Sequence, residues 1–105
     1  MDGNGFLELC NGQDDAAYDA ACQGYVAAVL DNKFSAREAL NKMMTIEEQK
    51  KTIPRDARNC MPDFTENNQA RKIIVKWFES HPENLHKRVI SEAHNAFLAA
   101  FPCQD

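Results

Sequence analysis

Four cysteines and three histidines are the residues of this 105-residue chain that could do more than pack or meet solvent. The cysteines are Cys10, Cys22, Cys60 and Cys103. No two of them have the Cys-x-x-Cys spacing that is common at zinc sites. An even number of widely spaced cysteines in a small chain is typical of a disulfide framework formed in an oxidising compartment. We therefore expect two disulfides and no metal ion or other cofactor.

Two pairings of the four cysteines are open. In an up-down-up-down bundle, the start of the first long helix and the end of the last helix lie at the same end, which favours Cys10 with Cys103 and Cys22 with Cys60. Cys10 with Cys22 and Cys60 with Cys103 is nearly as well supported, because the sequence alone does not fix connectivity. Either way, each bridge should stabilise the fold by about 2–4 kcal/mol through loop closure.

The histidines give no catalytic or metal-binding pattern. His86 and His94 are expected on one helix face, but two helical turns separate them by about 12 Å, which is too far for one metal ion. His81 lies at a predicted helix junction, where bonding to the backbone is the common role. A catalytic pair of Cys60 with a histidine needs a free thiol, and the even cysteine count indicates that Cys60 is oxidised. The sequence therefore predicts that the protein is not an enzyme.

Charge and hydropathy exclude two classes of partner. Twelve Lys and Arg against sixteen Asp and Glu give a net charge of −4. With no basic stripe in the sequence, nucleic acid and anionic membranes are disfavoured as partners. The longest apolar run, residues 25–30, is far shorter than the ~20 residues that span a bilayer. Residues 1–105 suffice for one domain.

Hydrophobic spacing predicts an all-α fold, a small disulfide-linked bundle of four to six helices. The first long helix is expected over residues 14–31, capped by Asp14 and Asp15. Gly24 within it is expected at a close approach to a neighbouring helix. The apolar stripe of this helix is Tyr18, Ala21, Cys22, Tyr25 and Val29.

Later helices are predicted from capping signals and periodicity. Ser35 and Thr45 each begin a capping-box pattern, with Glu three residues on, that opens a short helix. Thr65 is expected to cap a helix that ends before His81, and Pro82 is expected to open the last helix antiparallel to it. The apolar stripes of these two helices are Ala70, Ile73, Ile74, Trp77 and Phe78, then Leu85, Val89, Ala93, Ala96, Phe97 and Ala100.

Four short pieces occur in a characteristic order. They are Cys22-Gln23-Gly24-Tyr25-Val26-Ala27 followed by Asp31, Cys60-Met61-Pro62, His81-Pro82-Glu83 followed by His86, and Phe101-Pro102-Cys103. The set resembles the Rap/Tai family of type VI secretion immunity proteins over residues 7–103. Many relatives reach the Cys-x-Pro piece soon after the first long helix, whereas residues 32–59 intervene here. This longer middle favours the amidase immunity group of the family.

The resemblance implies a small periplasmic all-α protein, often a homodimer, that inhibits a wall-degrading effector by occluding its active-site groove. Effectors of the amidase group are Cys/His peptidases that cut the peptide stems of peptidoglycan. Residues 1–5 are polar and form no signal peptide, so a periplasmic location implies a leader outside this sequence. The alternative is a small periplasmic helical chaperone or ligand-binding protein, which should have a cavity between helices lined by Phe and Met.

Surplus apolar residues also favour a homodimer, because large exposed apolar patches usually mark interfaces. The residues that exceed the needs of a four-helix core are Phe6, Leu7, Leu40, Met43, Met44 and Phe64.

The effector-binding surface is expected in residues 43–58, with residues 51–58 as its tip. This stretch has the weakest core pattern, carries both signs of charge and is stiffened by Pro54. The candidate partner-binding residues are Met44, Glu47, Glu48, Lys51, Arg55 and Arg58.

Overall fold

Five α-helices make up most of the protein, whose computed structural model describes residues 1–12 and 14–103. The helices are α1 (Gly3–Asn11), α2 (Ala16–Met43), α3 (Ile46–Thr52), α4 (Asn67–Ser80) and α5 (Val89–Ala100). Two short 3-10 turns lie at Arg55–Ala57 and Pro82–Asn84. Within the described residues there is no strand, and the prediction of an all-α bundle of four to six helices is confirmed.

The hydrophobic core lies where α1, the first half of α2, α4 and α5 meet. We call this packed part, residues 1–12, 14–30 and 67–103, the body. Its largest fully buried apolar side chains are Phe6, Phe78, Ile74, Val26, Val29 and Val89. The rings of Phe6 and Phe78 meet at a centroid distance of 6.1 Å, so α1 and α4 share one aromatic contact at the centre of the body.

The rest of the described chain, residues 31–66, extends from the body, and we call it the arm. It contains the second half of α2, α3, the first 3-10 turn and an extended connection to α4. Gln49 and Met61 are the only residues of the arm that are buried. At 28 residues, α2 is about 42 Å long, close to the 46 Å longest dimension of the molecule. One continuous helix therefore joins body and arm.

The continuity of α2 contradicts the prediction that the first long helix ends at residue 31 and that a short helix then begins at Ser35. Ser35 lies inside the helix, so no short helix begins there. Strong helix formers around it and the absence of proline or glycine between residues 25 and 43 let the helix continue past the capping pattern. Gly24 is exposed, and a Cβ atom placed on it would meet nothing within 4 Å. The predicted close helix approach at Gly24 is therefore wrong.

The buried face of α2 is also rotated from the predicted stripe. The buried residues of the helix are Cys22, Val26, Val29 and Leu30. Tyr18 is 44% exposed and lies outside this buried face. Asp15 caps α2 as predicted, and its carboxylate accepts hydrogen bonds from the N–H groups of Ala17 (2.9 Å) and Tyr18 (3.2 Å).

The two later helices begin at positions other than the predicted ones. Thr65 does not cap α4, because its hydroxyl donates to the Pro62 carbonyl at 2.7 Å. α4 ends at Ser80 before the proline, as predicted. Pro82 opens the second 3-10 turn, and α5 begins only at Val89.

The chain start is fixed against the segment that precedes α5. The Gly3 N–H donates to the Lys87 carbonyl at 3.1 Å, and the Val89 N–H donates to the Met1 carbonyl at 3.1 Å. A Cβ atom on Gly3 would lie 2.5 Å from a ring carbon of Phe78, which is itself fully buried. Glycine is therefore required where α1 meets the core.

The disulfides join Cys10 to Cys22 and Cys60 to Cys103, with Cα–Cα distances of 5.2 and 5.3 Å. The pairing of Cys10 with Cys103 and Cys22 with Cys60, which bundle topology favoured, is wrong, and the alternative is right. α1 packs against α2, which places Cys10 beside the second turn of α2. The first bridge lies within the body, and the second ties the arm to the end of the chain.

Candidate partner-binding surface

α3 is a short helix that is well capped at its start. The Glu48 N–H donates to Thr45 Oγ1 (3.1 Å), and the Thr45 N–H donates to Glu48 Oε1 (3.2 Å), so the predicted capping box is confirmed. Glu47 lies in the first turn, and Lys50 and Lys51 lie in the last turn, which suits the helix dipole. These local interactions stabilise a seven-residue helix that would not form alone.

Gln49 attaches α3 to α2. Its side chain is 7% exposed, and its Nε2 donates to Asn41 Oδ1 (2.9 Å) and to the Met44 carbonyl (3.1 Å). Sequence reasoning missed this residue. One face of α3, continued into its C-cap, has the i, i+3, i+7 spacing and carries Ile46, Gln49 and Ile53. The position of Gln49 on this less charged face is the sequence signal that indicates its burial.

The first 3-10 turn is bonded to the body by two side chains. Arg55 Nε donates to the Cys103 carbonyl at 2.6 Å. His94 Nε2 lies 2.9 Å from the Asp56 carbonyl. The expected tip, residues 51–58, is therefore held in place at its C-terminal part, and the side chain of Arg55 serves the fold of this chain.

His94 links the first 3-10 turn to α2 through its two ring nitrogens. A carbonyl only accepts, so Nε2 carries the proton that is donated to Asp56, and Nδ1 accepts from the Lys33 ammonium at 3.0 Å. Burial lowers the pKa of Lys33 below its usual 10.5.

The other two histidines lie outside α5. His81 donates from Nδ1 to the Trp77 carbonyl at 2.7 Å and stacks on the Trp77 ring, so its predicted backbone role is confirmed. His86 precedes α5, so the prediction that it shares a helix face with His94 is wrong. Trp77 Nε1 donates to the buried Glu92 at 2.7 Å. In residues 1–12 and 14–103, no group of three or more His, Cys, Asp or Glu side chains could hold a metal ion.

The six candidate partner-binding residues all lie on the arm but differ in what they do there. Glu48 and Arg55 make the bonds described above, and Met44 accepts from Gln49. Arg58 is half-buried. Glu47 and Lys51 are exposed, and within the described chain their side chains make no hydrogen bond or ion pair. These two residues are thus the members of the set with side chains available to a partner.

A surface groove of about 310 Å³ lies between α2, α3 and the end of the chain, and we call it the basic groove. Its cationic lining residues are Lys33, Arg37, Lys50 and Arg58. Its aliphatic lining residues are Ala36, Leu40, Ile46 and Ala57. Among the described residues that line it there is no carboxylate, phenylalanine or methionine. This lining differs from the Phe and Met cavity that a chaperone or carrier should have.

On the other side of α2, Arg37 fixes the turn over residues 61–64. Its guanidinium donates to the Met61 carbonyl and to Asp63 Oδ1 (2.7 Å), and it lies 4.8 Å from the ring centroid of Phe34. Phe64 follows this turn with φ 64° and a side chain that is 96% exposed. The chain thus presents an aromatic ring to solvent from an anchored turn.

The surplus apolar residues divide into two groups in the structure. Phe6 is buried and Leu7, Leu40 and Met44 are half-buried, so these four serve the fold. Met43 and Phe64 are exposed, as is Ile46, which had not been counted. These three are the most exposed large apolar residues of the described chain and lie on the arm, whereas Met1, Tyr18 and Ile90 are less exposed and lie on the body.

Comparison with known proteins gives one match. The family model of the Rap1a immunity proteins matches residues 2–103, which include both the body and the arm. A search of curated proteins and a search of solved structures returned no match.

Proposed function

The chain belongs to the Rap1a immunity protein family, and from this premise we propose that it binds a type VI secreted peptidoglycan amidase in the periplasm and occludes its active-site groove. The family match across residues 2–103 is the observation that carries the proposal. Members of this family inhibit effectors and are not enzymes. We propose further that the protein acts as a homodimer.

An inhibitor of this kind needs a rigid surface and no reactive group of its own. Cys60, the one cysteine considered as a nucleophile, is bonded to Cys103 and has no thiolate. α3 has a capping box, and Gln49 attaches it to α2, so little conformational entropy is lost when its outer face is bound.

The outer face of α3 supports binding to a polar groove. Glu47 and Lys51 project from it with opposite charges, which orients a partner and speeds its capture. A stable complex buries about 800 Å² per partner, more than one short helix offers, so neighbouring parts of the arm must contribute. Of the candidate residues, we propose Glu47 and Lys51 as the direct contacts.

The periplasmic location is supported by the two disulfides. Both cysteine pairs are bridged, and such bridges persist in oxidising compartments. A peptidoglycan amidase acts in the same compartment. No helix of the described chain combines the length and apolar character needed to cross a bilayer.

The proposal is tested by capture followed by an activity assay. The oxidised, tagged chain is incubated with lysate of the producing bacterium, and bound proteins are identified by mass spectrometry. The captured hydrolase is then assayed on purified peptidoglycan, with release of new amino groups reporting cleavage of peptide stems. We expect one equivalent of the chain per active site to abolish this release.

Two results would contradict the proposal. One is capture of a hydrolase that cuts glycan strands and releases no amino groups, which would reject the amidase target. The other is undiminished cleavage in the presence of excess chain, which would reject inhibition. Heat-unfolded, reduced chain is the control for non-specific capture.

A further inference from the structure

Phe64 combines a strained backbone conformation with a side chain that is almost fully exposed. Among residues 1–12 and 14–103 it is the only non-glycine residue with positive φ. A bulky L-residue in the left-handed region is strained. Its side chain is 96% exposed, so no packing within the chain offsets this strain. Strain of this kind that the fold maintains points to a contact outside the chain.

The backbone under Phe64 is held in place. Arg37 donates to the Met61 carbonyl and to Asp63, and Met61 itself is buried. The Thr65 hydroxyl donates to the Pro62 carbonyl on the other side of the turn. Because the turn is already ordered, insertion of the Phe64 ring into a pocket would lose little backbone entropy.

The surroundings of Phe64 are acidic, and the basic groove is their complement. Glu38, Asp63 and Glu66 are exposed beside the ring or near it in the chain. Asp63 is paired with Arg37 and Glu38 with Lys42, so three carboxylates meet two cations and the surroundings keep one net negative charge. The basic groove combines aliphatic walls with Lys33 and Lys50 and has no carboxylate among its described lining residues. Its volume of about 310 Å³ is that of a small-molecule pocket and exceeds one benzyl side chain. Each chain thus carries both a ring with an acidic rim and a pocket with a basic rim.

The Phe64 ring and the basic groove lie on opposite sides of one stripe of α2, which is formed by Arg37 and Asn41, and at the same height along the helix axis. Arg37 and Asn41 line both the basic groove and the cleft beside Phe64. At 100° per residue, Leu40 lies on the groove side of this stripe, and Glu38 lies on the Phe64 side. If two copies are related by a two-fold axis that runs along this stripe, the ring side of one copy faces the groove side of the other. Each ring then meets the groove of the other copy, as an isologous contact requires.

From these observations we infer that Phe64 of one chain inserts into the basic groove of a second copy, and that this reciprocal contact is the interface of the homodimer proposed above, on which the inference rests. Ile46 lines the groove and Met43 is exposed close to it in the chain, so both extend the apolar contact. Glu47 and Lys51 stay outside it. The dimer contact and the effector contact thus occupy different faces of the arm.

Sedimentation of the oxidised chain at micromolar concentration tests the inference. The wild type should sediment with about twice the 11.9 kDa mass of one chain. Phe64→Gly removes the ring and relieves the backbone strain, so it should fold with an unchanged or higher Tm yet weaken dimerisation at least about 10-fold. The matched control is Ile90→Ser, which removes an exposed apolar residue on α5 and should leave the dimer intact.

A charge exchange tests the register of the contact. Lys50→Glu should weaken the dimer, and adding Glu38→Lys should restore most of the loss because the two charges face each other across the interface. A dimeric wild type with an undiminished Phe64→Gly dimer would overturn the inference and leave effector inhibition untouched. A monomeric wild type would overturn the dimer as well. A Phe64→Gly protein that dimerises normally but no longer binds the captured effector would reassign the ring to the effector contact.

Discussion

The body and the arm are parts of one helical chain, but different interactions hold them. In the body, apolar side chains from α1, α2, α4 and α5 meet in one continuous core. In the arm, Met61 is the one buried apolar residue, and Gln49, Arg55 and Arg37 hold the backbone by hydrogen bonds. The body therefore specifies the fold. Most of the arm's surface stays exposed to solvent and is available to a partner.

The energies of the two regions differ accordingly. Burial of a large apolar side chain such as Phe6 or Phe78 is worth about 1.5–3 kcal/mol. A hydrogen bond such as that from Arg55 to Cys103 contributes about 0.5–1.5 kcal/mol net, with somewhat more for a charged donor. The arm keeps its shape through several such bonds and one disulfide.

Truncation of the core should have the largest effect. Phe6→Ala removes a fully buried ring from the centre of the body and should cost about 3–5 kcal/mol in the free energy of unfolding. Ile53→Ala, at a half-buried position on the arm, should cost under about 1 kcal/mol. Urea unfolding of both oxidised variants measures the difference. Similar losses from the two substitutions would show that the arm has a core of its own.

Removal of a disulfide should have the second-largest effect on the free energy of unfolding. Replacing both members of a pair with serine should cost about 2–4 kcal/mol, more for Cys60–Cys103, whose partners are 43 residues apart, than for Cys10–Cys22, which are 12 apart. Amide hydrogen exchange distinguishes the effects of losing the two disulfides. Loss of Cys60–Cys103 should speed exchange in the arm alone, whereas loss of Cys10–Cys22 should affect α1. Faster exchange in α1 after loss of Cys60–Cys103 would contradict the division of the molecule into a body and an arm held by different interactions.

Arg37 should have an intermediate effect. Arg37→Met removes the bonds to Met61 and Asp63 and should cost about 1–3 kcal/mol, because a charged donor is lost from a half-buried site. Lys42→Met, which removes an exposed pair with Glu38, is the control and should change stability by less than about 0.5 kcal/mol. Thermal unfolding gives both values. Equal effects would mean that Arg37 does not fix the turn before Phe64.

Lys33 should have the smallest effect, visible as a change in pH dependence. Because burial lowers its pKa, the unfolded chain binds more protons than the folded chain between that lowered pKa and 10.5, and stability rises with pH across this window. Lys33→Met should lose this rise. Burial raises the pKa of Tyr25 in both proteins, so subtracting one urea-unfolding profile from the other isolates Lys33. Identical pH profiles of the unfolding free energy for the wild type and Lys33→Met would contradict the assignment of this pH dependence to Lys33.

The sequence predicted local features correctly in both the body and the arm. Apolar periodicity identified α4 and the buried residues Ile74 and Phe78, and local signals identified the Asp15 cap and the Thr45 capping box. These features depend on residues within a few positions of one another. Ser35 was misread because a capping pattern is also compatible with the interior of a helix made of strong helix formers.

The features that sequence reasoning missed depend on contacts between distant residues. Arg55 bonds to a carbonyl 48 residues away, so its spacing gave no sign that it serves the fold. The disulfide pairing depends on α1 folding back onto α2, which bundle topology alone does not specify. The conformation of Phe64 is set by Arg37 on another element. Long-range polar contacts leave no periodic trace in a sequence.

The central claim, that the arm binds the effector and the body does not, is tested most directly by calorimetric titration of the captured amidase with two charge-exchange variants. Glu47→Lys with Lys51→Glu alters the outer face of α3, and Lys72→Glu with Glu79→Lys alters the exposed face of α4, with net charge unchanged in both. We predict that the α3 variant keeps its Tm but binds at least about 100-fold more weakly and no longer protects peptidoglycan, whereas the α4 variant binds as the wild type does. Undiminished binding by the α3 variant, or loss of binding by the α4 variant, would contradict the account.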